Sequence, residues 1–254
     1  MASSQATSHI HQLLDEHWTA TLRVQPSVWR DAEVVVASHP EPSHTDLVYL
    51  IRREDSCIIV VPQRLIGSTT TACAAWPSAA VFDRAFVRSL YGPAVAAIHG
   101  PFWLGYAAPD TIRSVDGRGV RALVGADEAA LIGLRNLVSD DEWLDAGFGM
   151  PTREEYGCFV DGDLVCAGTL TPFGGVPANI SVLTAPAYRN QGFGVAMLSA
   201  LTTRAFERSG VAQCRFLEEN RAAVRIARTL GYIEDARTLE VVLHVPPRGD
   251  AFDL

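Results

Sequence analysis

The stretch Thr184-Ala-Pro-Ala-Tyr-Arg-Asn-Gln-Gly-Phe-Gly-Val195 decides the fold. Ile180 to Thr184, just before and into it, has the apolar, β-branched character of a strand. Gly194 to Glu207 reads as a helix, with Val195, Leu198, Leu201 and Ala205 on one face and Gly210 as its C-cap. Between strand and helix sits an Arg189-x-x-Gly192-x-Gly194 turn. Such a turn suits an anion, because the glycines let a ligand approach the backbone and the first helical N–H groups point outward with the positive end of the helix dipole. A pyrophosphate fits that description. The dinucleotide fingerprint needs a third glycine where Met197 stands, and a Walker loop needs a Gly-Lys-Ser/Thr that does not follow.

Outward from this motif, the second half of the chain is densely patterned. Val120 to Val124 reads as a strand and Ala126 to Val138 as a helix. Tyr156 to Val160 and Leu164 to Leu170 read as a hairpin across Asp161-Gly-Asp163. After the strand Asn179 to Thr184 and its helix come a strand, Gln213 to Leu217, a helix from Arg221 to Leu230 stopped by Gly231, and a strand, Leu239 to Val245. The first half is sparser. Leu47 to Arg52 and Cys57 to Pro62 form an expected hairpin, Ser78 to Leu90 a helix, and Ala94 to Ile98 with Trp103 to Tyr106 two strands around a His99-Gly-Pro101 turn. The polar, glycine-punctuated segment Ser114-Val-Asp-Gly-Arg-Gly119 separates the halves. The expected domains are therefore 1–117 and 118–254.

Composition narrows the function classes. The 254 residues are 48% apolar and 20% charged with a formal charge of −8, and all 21 basic residues are arginine. Without lysine, Schiff-base and P-loop lysine mechanisms are excluded. An acidic chain with no basic stripe has no nucleic-acid footprint, and a negative surface slightly favours cationic substrates such as amines. No apolar run approaches the roughly 20 residues needed to span a bilayer. No leader-like segment is read at Met1 to His11, so a cytoplasmic protein with no membrane partner is expected, as monomer or homodimer. The five cysteines form no Cys-x-x-Cys pair, which indicates neither a disulfide framework nor a zinc site. His9-x-His11 with His17 could ligate a metal; a frayed terminus is the simpler reading, and no metal is expected.

Two blocks in this order, Pro186-x-Tyr-Arg189-x-x-Gly-x-Gly194 and Asn220-x-x-Ala223 ending in Leu230-Gly-Tyr232, resemble the GNAT superfamily of acyl-CoA N-acyltransferases over Val120 to Val245. More loosely, the chain is similar to the branch of that superfamily with a degenerate GNAT-like N-terminal half. The resemblance implies an α/β fold with a mixed, mostly antiparallel central sheet flanked by helices, preceded by a smaller α/β domain. It implies an acyltransferase that moves an acetyl or other acyl group from acyl-CoA to a small-molecule or peptide amine by direct attack. It also implies that Val182, Leu183 and Thr184 pair through their backbone with the pantetheine arm and thioester, that Arg189, Asn190, Gln191, Gly192, Phe193, Gly194 and Val195 form the pyrophosphate loop, and that Asn220 contacts the pantetheine.

One departure matters for the chemistry. Seven residues after this asparagine the family often has a tyrosine that protonates the departing thiolate, and here the position is Ala227, where a tyrosine is expected to fit. A positioned acid contributes about 10²- to 10⁴-fold, while proximity alone can supply on the order of 7 to 11 kcal/mol, so the loss bears on the mechanism more than on the activity. Glu218 and Glu219 are the candidate bases, resembling the carboxylate of some family members. Strand alternation should turn only one of them toward the cleft. Ser139-Asp-Asp-Glu-Trp143 and Phe148 fall where the family walls its acceptor site. Each feature has a plainer reading: a strand-to-helix turn for the glycines, a helix N-cap for Asn220, solvated charge for the carboxylates and an acidic loop for Ser139 to Trp143. An acyl-CoA-binding pseudoenzyme or sensor, and a non-catalytic scaffold, are the alternatives to an enzyme.

Overall fold

The computed structural model describes residues 11–12, 14–20, 22–25, 27–31, 34–39, 46–148, 154–173 and 176–244. Ten strands are defined there: β1 (Val34–Ser38), β2 (Leu47–Arg53), β3 (Ser56–Val61), β4 (Val95–Ala107), β5 (Arg121–Ala122), β6 (Glu154–Val160), β7 (Asp163–Phe173), β8 (Val176–Thr184), β9 (Ala212–Leu217) and β10 (Ile233–Leu243). The chain forms two compact units, Leu14–Phe102 with Ala236–Leu254, and Met1–Leu13 with Trp103–Asp235. The expected division at 117/118 differs from these limits. Residues 103–117 belong with the later unit, and the chain returns to the earlier one after Asp235, so β4 and β10 each contribute to both.

In the earlier unit the strand order is β1-β3-β2-β10. β1 runs parallel to β3, while β2 pairs antiparallel with both β3 and β10. Every residue of β3 is buried, as its near-continuous apolar run demands. The helix expected over Ser78 to Leu90 is two, Ser78–Val81 and Arg84–Tyr91. Asp83 divides them because its carboxylate accepts the Ala85 and Phe86 N–H groups at 2.8 and 3.1 Å and starts a new helix. The turn expected at His99-Gly-Pro101 is also replaced, since β4 runs through it and Arg84 donates to the Ile98 and Gly100 carbonyls at 3.0 and 2.8 Å.

In the later unit β9, β8, β7, β6 and β5 are successive neighbours, antiparallel except for the parallel β8–β9 pair. Period-2 alternation sorts their side chains onto two faces. Cys166 and Val182 join a core with Met197, Leu198, Leu201 and Ala205 of the Phe193–Ser209 helix and Val224, Ala227 and Leu230 of the Arg221–Leu230 helix. Ala167 and Leu183 join a second core with Leu134, Ala146 and Phe148, under the helices Glu128–Arg135 and Asp140–Asp145. Fully burying each large apolar side chain contributes about 1.5–3 kcal/mol, so two such cores hold the strands between them firmly. The mixed, mostly antiparallel sheet with flanking helices is the fold class expected from the sequence.

Candidate active site

β8 and β9 part company early. Their parallel pairing is limited to Asn179 with Gln213 and Ile180 with Cys214, although β8 continues to Thr184 and β9 to Leu217. On its other side β8 stays in register with β7 through Cys166–Thr184. The Ala185 N–H reaches the Val165 carbonyl at 2.9 Å, which sets the phase of that ladder. Counting back by twos, Leu183 turns its N–H and C=O toward β7, and Val182 and Thr184 turn theirs toward the side where β9 has diverged. Of the three residues expected to hold a pantetheine arm, then, only Val182 and Thr184 offer backbone groups there. Leu183 anchors the second core.

At the end of β8 a single 3₁₀ turn, Pro186–Tyr188, leads into the glycine loop and the Phe193–Ser209 helix. Asn190 and Gly192 take positive φ of 62° and 86°. These left-handed residues tilt the loop so that the chain enters the helix directly at Gly192, whose carbonyl receives the Ala196 N–H at 3.0 Å. The Phe193, Gly194 and Val195 amides are therefore the orphan donors of the first turn. A Cβ on Gly194 would lie 3.4 Å from Thr184 Oγ1, 3.7 Å from Ile226 Cδ1 and 3.9 Å from Val182 Cγ1, so it would enter the corner between the end of β8, the loop and the Arg221–Leu230 helix. A cradle bare of side chains at that corner suits a diphosphate on the loop and a thin chain running beside β8.

Arg189, expected in the pyrophosphate loop, has its side chain engaged with protein groups. Its Nε donates to the Thr184 carbonyl at 3.1 Å and its Nη2 to Glu142 Oε1 at 2.7 Å. It ties the end of β8 to the Asp140–Asp145 helix. Glu142 is held below the ordinary carboxylate range first by the Ser139 N–H, with Arg189 adding to the effect. Ser139 returns the favour as N-cap, accepting the Glu142 N–H at 3.2 Å, and Trp143 stacks on Phe148 with centroids 4.4 Å apart. In this acidic segment Asp140 faces solvent, Glu142 serves Arg189, and Phe148 is core.

Asn220 caps the second helix, its Oδ1 accepting the Ala223 N–H at 3.2 Å. Glu218 and Glu219 lie beyond the strand, in a turn closed by the Asn220 N–H on the Leu217 carbonyl at 2.9 Å. The alternation expected of them does not apply, because β9 ends at Leu217. Burial separates them instead: Glu218 is half-buried and Glu219 exposed. Ala227 is fully buried in the first core. It presents no polar group, and its complete burial runs against the expectation that a tyrosine fits there. Of the histidines, His9 lies outside the described residues, and His17 sits beside Trp18, its pKa lowered by burial.

Sequence reading missed Arg118. Its Nη1 donates to the Gln191 carbonyl at 2.7 Å, its guanidinium lies 5.0 Å from the Phe193 ring centroid, and Nη2 is 3.1 Å from where a Gly192 Cβ would be. Glycines on either side made it look like linker.

Residues 127–232 match the model of the acetyltransferase (GNAT) family. Among solved structures, a GNAT-family acetyltransferase from Colwellia psychrerythraea is similar over 93% of this chain and 97% of its own, with 13% identity and a TM-score of 0.52. A GCN5-related N-acetyltransferase from Kribbella flavida is 22% identical over 64% of each chain, with a TM-score of 0.46. The match thus spans just under two thirds of the Kribbella flavida protein. No curated protein matches the chain. No helix among the described residues is long and apolar enough to cross a membrane.

Proposed function

From the premise that residues 127–232 are a domain of the acetyltransferase (GNAT) family, we propose that this protein transfers an acyl group, with acetyl as the first candidate, from acyl-CoA to an amine. The observation that carries the reading is the divergence of β8 from β9 after Ile180 and Cys214, beside a glycine-bare helix N-terminus. A pantetheine arm would lie along β8 as an added strand does, bonded to Val182 and Thr184, with recognition by main-chain groups that depend little on side-chain identity. The diphosphate would take the amides of Asn190 to Val195, and Asn220 would mark the far side of the arm.

The amine attacks the thioester directly in this reading, its nitrogen bonding to the acyl carbon as the C–S bond breaks. A covalent relay through a cysteine would need a thiolate near β8. The cysteine available is Cys166, whose thiol lies 3.3 Å from Thr184 Oγ1, and burial pushes it up to about 12, with the Thr184 hydrogen bond opposing. It stays protonated at neutral pH and is a poor nucleophile. Glu218 is the proposed acceptor of the ammonium proton. The buried, reduced cysteines accord with a cytoplasmic setting. The acceptor is a small-molecule or peptide amine.

Thiol release from acetyl-CoA, followed across a panel of amines, tests the reading. Amine-dependent release supports it. Ala227 favours a second reading, an acyl-CoA-binding sensor without turnover, since the position that carries the family's tyrosine is apolar and buried. Tight coenzyme A binding with no thiol release from any amine would select the sensor.

A further inference from the structure

Thr111 to Arg118 is fastened to the same two helices that carry both sequence blocks. The Arg113 N–H donates to the Leu230 carbonyl at 2.7 Å, and a Cβ on Gly231 would run into the Thr111 carbonyl, so only glycine lets the segment pass there. Further along, Ser199 Oγ of the Phe193–Ser209 helix accepts the Val115 N–H at 2.9 Å and donates to the Val115 carbonyl at 3.2 Å. Asp116 Oδ1 then accepts the Arg118 N–H at 3.0 Å, and the Cys158 thiol donates to the Arg118 carbonyl at 3.2 Å. The whole segment is a strap, and it ends by setting an arginine over the glycine loop. It lies outside residues 127–232, so the family match says nothing about it.

The charge at the loop makes this placement meaningful. Arg189, the cation within the motif, is taken by Glu142. Arg118 is exposed, and among the described residues it shows no ion pair. A guanidinium has five N–H donors in one plane. Nη1 uses one on Gln191, the Phe193 ring fixes the plane, and Nη2 stands above Gly192, on the surface that a diphosphate approaching the Phe193 to Val195 amides would meet. We infer that Arg118 is a further binding residue of this site, a preset cation that takes the diphosphate of coenzyme A opposite the helix amides. The inference rests on the acyl-CoA reading and adds to it a ligand contributed from outside the family domain. Because the strap holds the arginine in place beforehand, little side-chain freedom is lost on binding.

Isothermal titration of the wild type, Arg118→Gln and Arg118→Lys with coenzyme A and with 3′-dephospho-coenzyme A tests this, with thermal melting to verify that each variant is folded. Arg118→Gln is expected to lose about 10-fold or more in affinity for both ligands alike, the scale of a hydrogen bond to a charged group. The salt dependence of binding should flatten. Arg118→Lys, which keeps the charge but not the planar fork, should fall between. A loss seen only with coenzyme A would move the contact to the 3′-phosphate and overturn the diphosphate assignment. Unchanged or tighter binding in a folded Arg118→Gln, with a wild type that binds, overturns the inference and leaves the acyl-CoA reading standing. A wild type that binds neither ligand overturns that reading and the inference with it.

Discussion

Arg189 Nη2 and Glu142 Oε1 are 2.7 Å apart, an ion pair that joins the end of the strand preceding the glycine loop to the helix beginning at Asp140. Both side chains are 41% exposed, so the pair is worth at most about 1 kcal/mol. Its value is positional: the same guanidinium holds the Thr184 carbonyl.

That pair predicts a pH dependence. The Glu142 carboxyl is depressed in the folded state, first by the Ser139 N–H and then by Arg189. A depressed carboxylate contributes stability that is fully present above the unfolded value of about 4.3 and is lost as pH falls through the folded value. Glu142→Gln should therefore be less stable than wild type by no more than about 1 kcal/mol at pH 7, with the difference closing in acid. Urea unfolding of both proteins from pH 7 to 3 checks this. A difference that persists unchanged at pH 3 would show that packing, not charge, is responsible.

Gly194→Glu should abolish coenzyme A binding with little loss of fold. Its Cβ would meet Thr184, Ile226 and Val182 at ordinary contact distances or slightly tighter, while the carboxylate brings repulsive charge to the cradle. Gly192→Glu should also abolish binding but is the less clean variant, because φ of 86° strains any L side chain and Arg118 stands in its way. Titration together with thermal melting separates the two effects. Unchanged affinity in folded Gly194→Glu would refute the cradle.

Glu218→Gln should lower turnover roughly 10-fold or more at neutral pH with little change in affinity for acetyl-CoA. Glutamine keeps the size of the side chain but cannot accept the ammonium proton. Glu219→Gln, at an exposed position one residue on, should have a small effect. Negligible effects in both would leave deprotonation to solvent or to the Ser139 to Trp143 segment. A loss confined to Glu219→Gln would reverse the assignment.

Ala227→Tyr should destabilise the protein by about 1–3 kcal/mol without raising turnover, since overpacking a filled core forces its neighbours to move. Chemical denaturation and thiol release read the two parts separately. A stable variant with faster thiol release would mean that the side chain reaches the thioester after all.

What could be read from the sequence were features written in neighbouring residues. The glycine loop, the Asn220 cap and the Gly231 stop each express a local backbone requirement, and the Arg221–Leu230 helix lies where the pattern put it. What could not be read depends on distant partners. Arg118 looks like linker because Gln191 and Phe193, which give it a role, are far along the chain. The early residues of the last strand, Ile233–Leu243, were hidden by their polarity, and nothing in their pattern announces that the strand returns to pair with Leu47–Arg53. The two glutamates follow a strand whose end at Leu217 is legible, but side-chain alternation does not carry past a strand's last residue, and the turn that places them depends on the chain beyond it.

In the proposed complex coenzyme A lies along β8 with its diphosphate on the glycine loop. Amide hydrogen exchange with and without coenzyme A tests it most directly. New protection is expected to concentrate at Val182, Thr184 and the Asn190 to Val195 amides, with Leu183 unchanged because its N–H already belongs to β7. Binding that leaves these amides unprotected, or protects another part of the chain, would contradict it.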